Sequence, residues 1–273
     1  MKKSLLILTA VLLASTSAFA EELYHPFYVP QKGGFLSDTN VIYQKAKKTL
    51  VVTPSGKDAK LKNVLLSEGI TYGITNDLAV TGTVVDAWYL NTPGVRGHDR
   101  YDNPAFALGM KYNLLDYHKY LLNVQVGADY TQGTLSMNHM MNEVWHWYSH
   151  HHVKSISGYV KAGFEIQDGF LPYVTGTIVK PIGKNESKSW YIGRAGVYKT
   201  LTVNLAADVG VNYLYSGTTY APSKHFNASA LDVSLNYKLS RNSTIGLTGS
   251  YMLSNRPVDY DYYTIGVNYK ASF

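Results

Sequence analysis

The stretch "YLLNVQVGADYT", residues 120–131, alternates from Leu122 to its end. Tyr120, Leu122, Val124, Val126, Ala128 and Tyr130 fall on one face, opposed by Asn123, Gln125, Gly127, Asp129 and Thr131. A side-chain period of two over this length is a strand with one apolar and one polar face. Its bracketing tyrosines, at about 3.3 Å per residue and a tilt of roughly 40°, lie about 25 Å apart along a barrel axis, the height of a membrane-facing apolar band.

The same alternation returns at 104–114, 156–166, 201–215, 229–239, 245–253 and 263–273. In 201–215, Leu201, Val203, Leu205, Ala207, Val209, Val211, Tyr213 and Tyr215 share one face. A soluble sandwich gives this pattern too, so the connections decide. Short turns are predicted at "TNDL" (75–78), "DYHK" (116–119), "QDG" (167–169), "KT" (199–200) and "SRN" (240–242). Between them lie longer linkers at 53–60, 91–103, 133–152, 182–188 and 216–227, with a shorter one near 254–258. Short periplasmic turns alternating with long extracellular loops are the habit of an outer-membrane barrel.

Aromatic residues give an independent check. Strands read as descending carry Tyr72, Tyr112, Phe164, Tyr237 and Tyr269 near their lower ends, and ascending ones carry Tyr89, Tyr130, Tyr213 and Tyr251 near the top. Two girdles follow, because tyrosine joins an apolar ring to a hydroxyl that meets headgroups and water. Eleven strands are legible from Leu61 onward, and a twelfth at 39–52, "TNVIYQKAKKTLVV", gives the even number bacterial barrels use. The predicted fold is therefore all-β: a closed transmembrane antiparallel β-barrel of twelve strands over 39–273. Lys45, Lys47 and Lys48 blur the parity of the first strand.

The opening "MKKSLLILTAVLLASTSAFA" has a basic start, an apolar run and a small-residue exit, and reads as a signal peptide over 1–20 cleaved before Glu21. Residues 21–38 then form an N-terminal segment whose "HPFYVPQKGG", 25–34, lies in the periplasm or folds into the lumen as a plug. Loss of Lys2 and Lys3 with the leader leaves 23 basic against 19 acidic residues, too mild an excess to imply nucleic acid. The chain has no cysteine, so no disulfide framework supports it.

The final "YTIGVNYKASF" places Ile265, Val267, Tyr269 and Ala271 on the face of Phe273. With the leader, this resembles Gram-negative outer-membrane β-barrel proteins of the porin-like class. The resemblance implies outer-membrane localisation, contact with outer-membrane lipids, and recognition of Phe273 and Tyr269 by the barrel-assembly machinery. "YTQG" at 130–133 shares a fragment with outer-membrane phospholipase A, but the histidine and serine that should follow are missing from "LSMNHM".

Candidate chemistry is sparse. "MNEVWHWYSHHHVK", 141–154, crowds His146, His150, His151 and His152 among aromatics. His146 and His150 have the spacing of one helical face and suit zinc or copper, yet three adjacent histidines converge poorly and no carboxylates accompany them, so a polar loop end is the expected reading. Ser149 beside His150 does not make a catalytic arrangement. No catalytic residue, cofactor or metal is expected.

The polar face carries more. Lys111, Asp129, Lys161, Glu165, Asp208, Asp232, Lys238 and Lys270 oppose the apolar one, and charges facing lipid are costly, so these are predicted to line the lumen. Arg194 joins them if 189–199 keeps its parity, which also places Trp190 and Ile192 inside; a bulge there would change the facing. The expected function is passive diffusion of small hydrophilic solutes. Alternatives are a non-conducting structural or adhesive barrel acting through loops 91–103 and 133–152, and a membrane-embedded lipid hydrolase.

Overall fold

A computed structural model describes residues 23–46, 51–52, 58–59, 62–89, 105–115, 121–133, 153–166, 169–182, 189–216, 226–256 and 262–273. Strand β1 spans Phe35–Ala46, and a two-stranded pair, β2 (Val51–Val52) and β3 (Asp58–Ala59), follows it. The remaining strands are β4 (Lys62–Gly73), β5 (Leu78–Tyr89), β6 (Ala105–Leu115), β7 (Leu122–Gly133), β8 (Val153–Phe164) and β9 (Phe170–Ile182). They continue as β10 (Trp190–Thr202), β11 (Leu205–Ser216), β12 (Phe226–Ser240), β13 (Ser243–Arg256) and β14 (Tyr262–Ser272).

β1 and β4–β14 form a closed antiparallel ring of twelve strands, each paired with its neighbour along the chain; β1 pairs with both β4 and β14. Closure leaves no unpaired sheet edge, which is what lets a β-structure cross lipid. At the seam the Phe273 N–H donates to the Phe35 carbonyl at 2.9 Å and the Phe35 N–H to the Phe273 carbonyl at 3.0 Å.

The alternation sorts the faces as the period requires. On β6 the outward Phe106, Leu108, Met110, Tyr112 and Leu114 are exposed, Leu108 at 61%, while Ala105, Ala107 and Asn113 are buried inside. A soluble protein does not turn its aliphatic face outward all round, so this wall is built for lipid. Tyr72, Tyr112, Phe164 and Tyr237 stand exposed toward the short-turn end, and Tyr213 and Tyr251 toward the long-loop end. The Tyr89 side chain lies outside those described.

Two expectations need adjustment, and one open point is resolved. The first strand begins at Phe35, not at 39, and ends at Ala46, while Val51 and Val52 pair with β3. β1 hides its start because Leu36 and Ile42 point inward and Ser37 and Thr39 outward, against the usual polarity. The turn expected at 199–200 lies at Val203–Asn204, where the Asn204 N–H donates to Thr202 Oγ1 at 3.3 Å. A two-residue turn keeps odd positions outward on both strands, so the alternation of 201–215 runs straight through it and conceals it. Segment 189–199 needs no bulge: β10 holds register with β9 from Trp190 to Lys199, and Trp190, Ile192 and Arg194 all face inward.

Candidate functional site

The lumen is crossed near its short-turn end by residues 23–34. This strap leaves β1 through Gly33, whose φ of 80° suits glycine, and the Gly33 N–H donates to the Gly73 carbonyl at 2.8 Å. The Lys32 N–H donates to Asn76 Oδ1 at 3.0 Å in the turn between β4 and β5. At its other end Tyr24 and Phe27 are buried with Leu171 and Tyr173 of β9 and Tyr198 of β10. β9 stands six places from β1 in either direction round the ring, so the strap spans a diameter. Twelve strands at their usual spacing and tilt give a backbone diameter of about 24 Å. The chain from Gly34 back to Tyr24 reaches at most roughly 33 Å, which is enough.

Local chemistry explains why the strap is held. Pro26 and Pro30 lack N–H groups and keep the chain out of a ladder, leaving carbonyls to be met by wall side chains. Lys161 Nζ donates to the Pro26 carbonyl at 2.7 Å and stands 5.5 Å from the centroid of the Phe27 ring. Lys111 Nζ donates to the Tyr28 carbonyl at 2.9 Å. The Phe27 carbonyl accepts from Asn113 Nδ2 at 3.1 Å, and Gln125 Nε2 donates to Asn113 Oδ1 at 2.8 Å. Tyr159 Oη completes the chain by donating to Gln125 Oε1 at 3.2 Å. Gly163 leaves the room Phe27 uses, since a Cβ there would come within 3.0 Å of its ring.

On the other side of the lumen the charges pair within the wall. Arg194 donates from Nη2 to Asp208 Oδ1 at 2.8 Å, from Nη1 to Asp232 Oδ2 at 2.7 Å, and from Nε to Tyr173 Oη at 2.9 Å. Tyr173 Oη in turn donates to Asp208 Oδ2 at 2.7 Å, and Asn212 donates to Asp232. A guanidinium fork shared by two carboxylates and a phenol ties β9 to β12, using directional bonds a lysine has no geometry to copy. The side chains of Arg194, Asp208 and Asp232 are about a fifth exposed, at 23%, 17% and 25%.

Above the strap lies a chamber of about 500 Å³ whose walls include Asp38, Lys111, Lys161, Arg194, Asp208 and Lys270. Lys270 stands 3.7 Å from Asp38, an ion pair across β14 and β1. The other residues read as luminal do not line this chamber. Asp129 sits toward the long-loop end, where Ser157 Oγ donates to it at 3.3 Å. Glu165 takes the Gly169 N–H at 2.9 Å in the turn before β9, and Lys238 lies near the short-turn end of β12. The structure thus gathers Lys111, Lys161, Arg194, Asp208 and Lys270 and leaves Asp129, Glu165, Asp232 and Lys238 outside the chamber lining.

Sequence reasoning missed Asp38, assigned to the N-terminal segment, and the wall groups Tyr159, Tyr173, Asn113 and Gln125. Asn113 and Gln125 shared the polar parity of Lys111 and Asp129, the signal that was there to use. His146, His150, His151 and His152, and Ser149, lie outside the described residues, and so do loops 91–103 and 134–152. Among the described residues no cluster of three or more histidine, aspartate or glutamate side chains has metal-site geometry.

No family model matches the chain, and no curated protein matches it in sequence. Its fold has counterparts among solved structures. An outer membrane channel from Pseudomonas putida F1 superposes with a TM-score of 0.68 at 10% identity, over 93% of this chain and 100% of that one. The NanC porin gives 0.53 at 12% identity, over 85% and 98%, and the CymD monoaromatic hydrocarbon channel 0.50 at 12%, over 89% and 89%. At such identities the likeness is one of fold: the outer-membrane β-barrel.

Proposed function

We propose that the protein is an outer-membrane channel for passive diffusion of small hydrophilic solutes, delivered there after export. The observation that carries this reading is the contrast between an apolar outer wall and an inner wall of charges and amides around a chamber of about 500 Å³. Lys111 and Lys161 project into that space, where they reach both the strap and whatever enters the chamber. The fold likeness to channels agrees with this reading, though what each neighbour carries is a property of that neighbour. Lys111 and Lys161 favour anions within the low-dielectric lumen, opposed by Asp129, Glu165 and Asp208, so selectivity is expected to be weakly anionic.

The test is planar-bilayer recording of the purified full chain. Discrete steps with a weak anion preference support the reading. The strap favours a second reading, a sealed barrel that works through its outer loops. Electrical silence of a folded barrel, persisting after removal of residues 23–34, decides for that alternative. A lipid hydrolase finds no support: His25 is the only histidine among the described residues, and its Nδ1 accepts the Phe27 N–H at 3.3 Å.

A further inference from the structure

The chamber's cations differ in what they face. Arg194 is matched by Asp208 and Asp232, and Lys270 by Asp38. Among the described residues neither Lys111 nor Lys161 has a carboxylate at ion-pair distance. Both ammoniums instead meet neutral carbonyls of one segment, at Pro26 and Tyr28. Both also line the chamber directly above that segment.

We propose that Lys111 and Lys161 form a binding site for a small organic carboxylate, and that occupying it loosens the strap. The proposal rests on the channel reading and deepens it. A carboxylate in the chamber offers each ammonium an opposite charge as well as an acceptor, where the carbonyl it now meets offers only a dipole. The two carbonyls flank Phe27 in a turn closed by the Tyr28 N–H on the His25 carbonyl, so a single anion entering between the lysines competes with both anchors. Once they are lost, the strap keeps Phe27 in its aromatic pocket with its carbonyl on Asn113, and the backbone bonds at Gly33, but the turn on either side of Phe27 has lost its two charged anchors. The chamber's other cations are already paired, which is why the site is on this side. A ligand that binds only the unclamped lysines shifts the strap equilibrium by one plus its concentration over Kd, about elevenfold at ten times Kd.

Hydrogen exchange of the full chain in detergent micelles reads the strap directly. The probe is sodium glucuronate, with glucose and sodium chloride at matched concentration as controls. The reporter amide is Tyr28, bonded to the His25 carbonyl at 3.0 Å, and Gly33, bonded to the Gly73 carbonyl at 2.8 Å, is the internal reference. Tyr28 is expected to exchange about tenfold faster in glucuronate and unchanged in either control, with Gly33 and the wall strands unaffected. Replacing both lysines by glutamine keeps a neutral donor and removes the charge, so the glucuronate response disappears. Replacing both by methionine raises strap exchange without any ligand. A strap indifferent to glucuronate, equal acceleration by chloride, or a response that survives in the glutamine variant overturns the proposal. Bilayer recordings on the same preparation separate the two ideas: current steps with an indifferent strap sink this inference alone, whereas silence of the folded strap-deleted barrel sinks the channel reading.

Discussion

The two sides of the lumen are made from similar residues and reach opposite states. From β9 to β12, Arg194, Tyr173, Asp208 and Asp232 satisfy one another, and every group belongs to the wall. From β6 to β8, Lys111, Lys161 and Asn113 direct their donors at a segment that is not part of the wall, and Gln125 divides its amide between that segment and Asn113. The first arrangement changes only if the barrel deforms. The second changes when the strap moves, which costs the anchors at the Pro26, Phe27 and Tyr28 carbonyls and no strand. One half of the lumen is therefore structural, and the other is conditional.

The largest effect is expected where the wall is self-satisfied. Arg194→Met leaves Asp208 and Asp232 facing each other without their cation, and the barrel should lose about 3 kcal/mol in urea unfolding, the loss typical when one partner of a desolvated pair is removed. Adding Asp208→Asn and Asp232→Asn should restore much of it, since the uncompensated charge is then gone. A triple variant as weak as the single one would show that the fork contributes packing and not charge balance.

Next comes the conditional half. Deleting residues 23–34 should leave a heat-modifiable folded barrel and raise single-channel conductance by roughly threefold or more, because the diameter is cleared. The deletion must stop at Gly34, since Phe35 closes the seam with Phe273 and Asp38 holds Lys270. Unchanged conductance would place the limiting constriction elsewhere in the lumen.

A smaller effect is expected from charge alone. Lys111→Glu with Lys161→Glu should move the reversal potential in a salt gradient toward cations, and exchanging the lipid-facing Leu122 and Val124 for isoleucine should leave it in place. Equal shifts in both would mean that selectivity follows the barrel's general state and not these two positions.

How legible this was depended on which physical signal carried each part. The ring was readable because period-two alternation follows from the pleat and its outer face must be apolar throughout; 120–131 alone shows it. Luminal parity was readable for Lys111, Lys161 and Asp208 for the same reason, and for Arg194 once Trp190 and Ile192 are accepted inside. Pairing across the lumen was not, because partners such as Arg194 and Asp232 sit on strands whose separation is set by ring closure and register, not by spacing along the chain. The strap was half readable. "HPFYVPQKGG" shows that the segment is no strand, but its place inside depends on Phe27 finding the space above Gly163, a tertiary fact. β1 hid its start because its inner face carries Leu36, beside the strap's exit, and Ile42, which packs with Leu65 and Ala105 toward the long-loop end.

The smallest effect tests how tightly the structural half is fitted. Gly210 lies on β11 beneath the Arg194 fork, and a Cβ there would come within 3.0 Å of the guanidinium carbon and 3.1 Å of the Ala195 carbonyl oxygen. The guanidinium is the movable partner, but it is held by Asp208, Asp232 and Tyr173, so it yields only by lengthening bonds it already makes. Gly210→Ala should therefore cost about 1 kcal/mol, the low end of overpacking, partly offset because alanine loses less conformational freedom than glycine on folding. Gly193 is the matched control on the neighbouring β10, since a Cβ there meets nothing within 4 Å. Gly193→Ala should be neutral or slightly stabilising in the same urea titration. If the two alanines behave alike, the fork has slack, and the contrast between a fixed half and a conditional half narrows to the lysines and their strap.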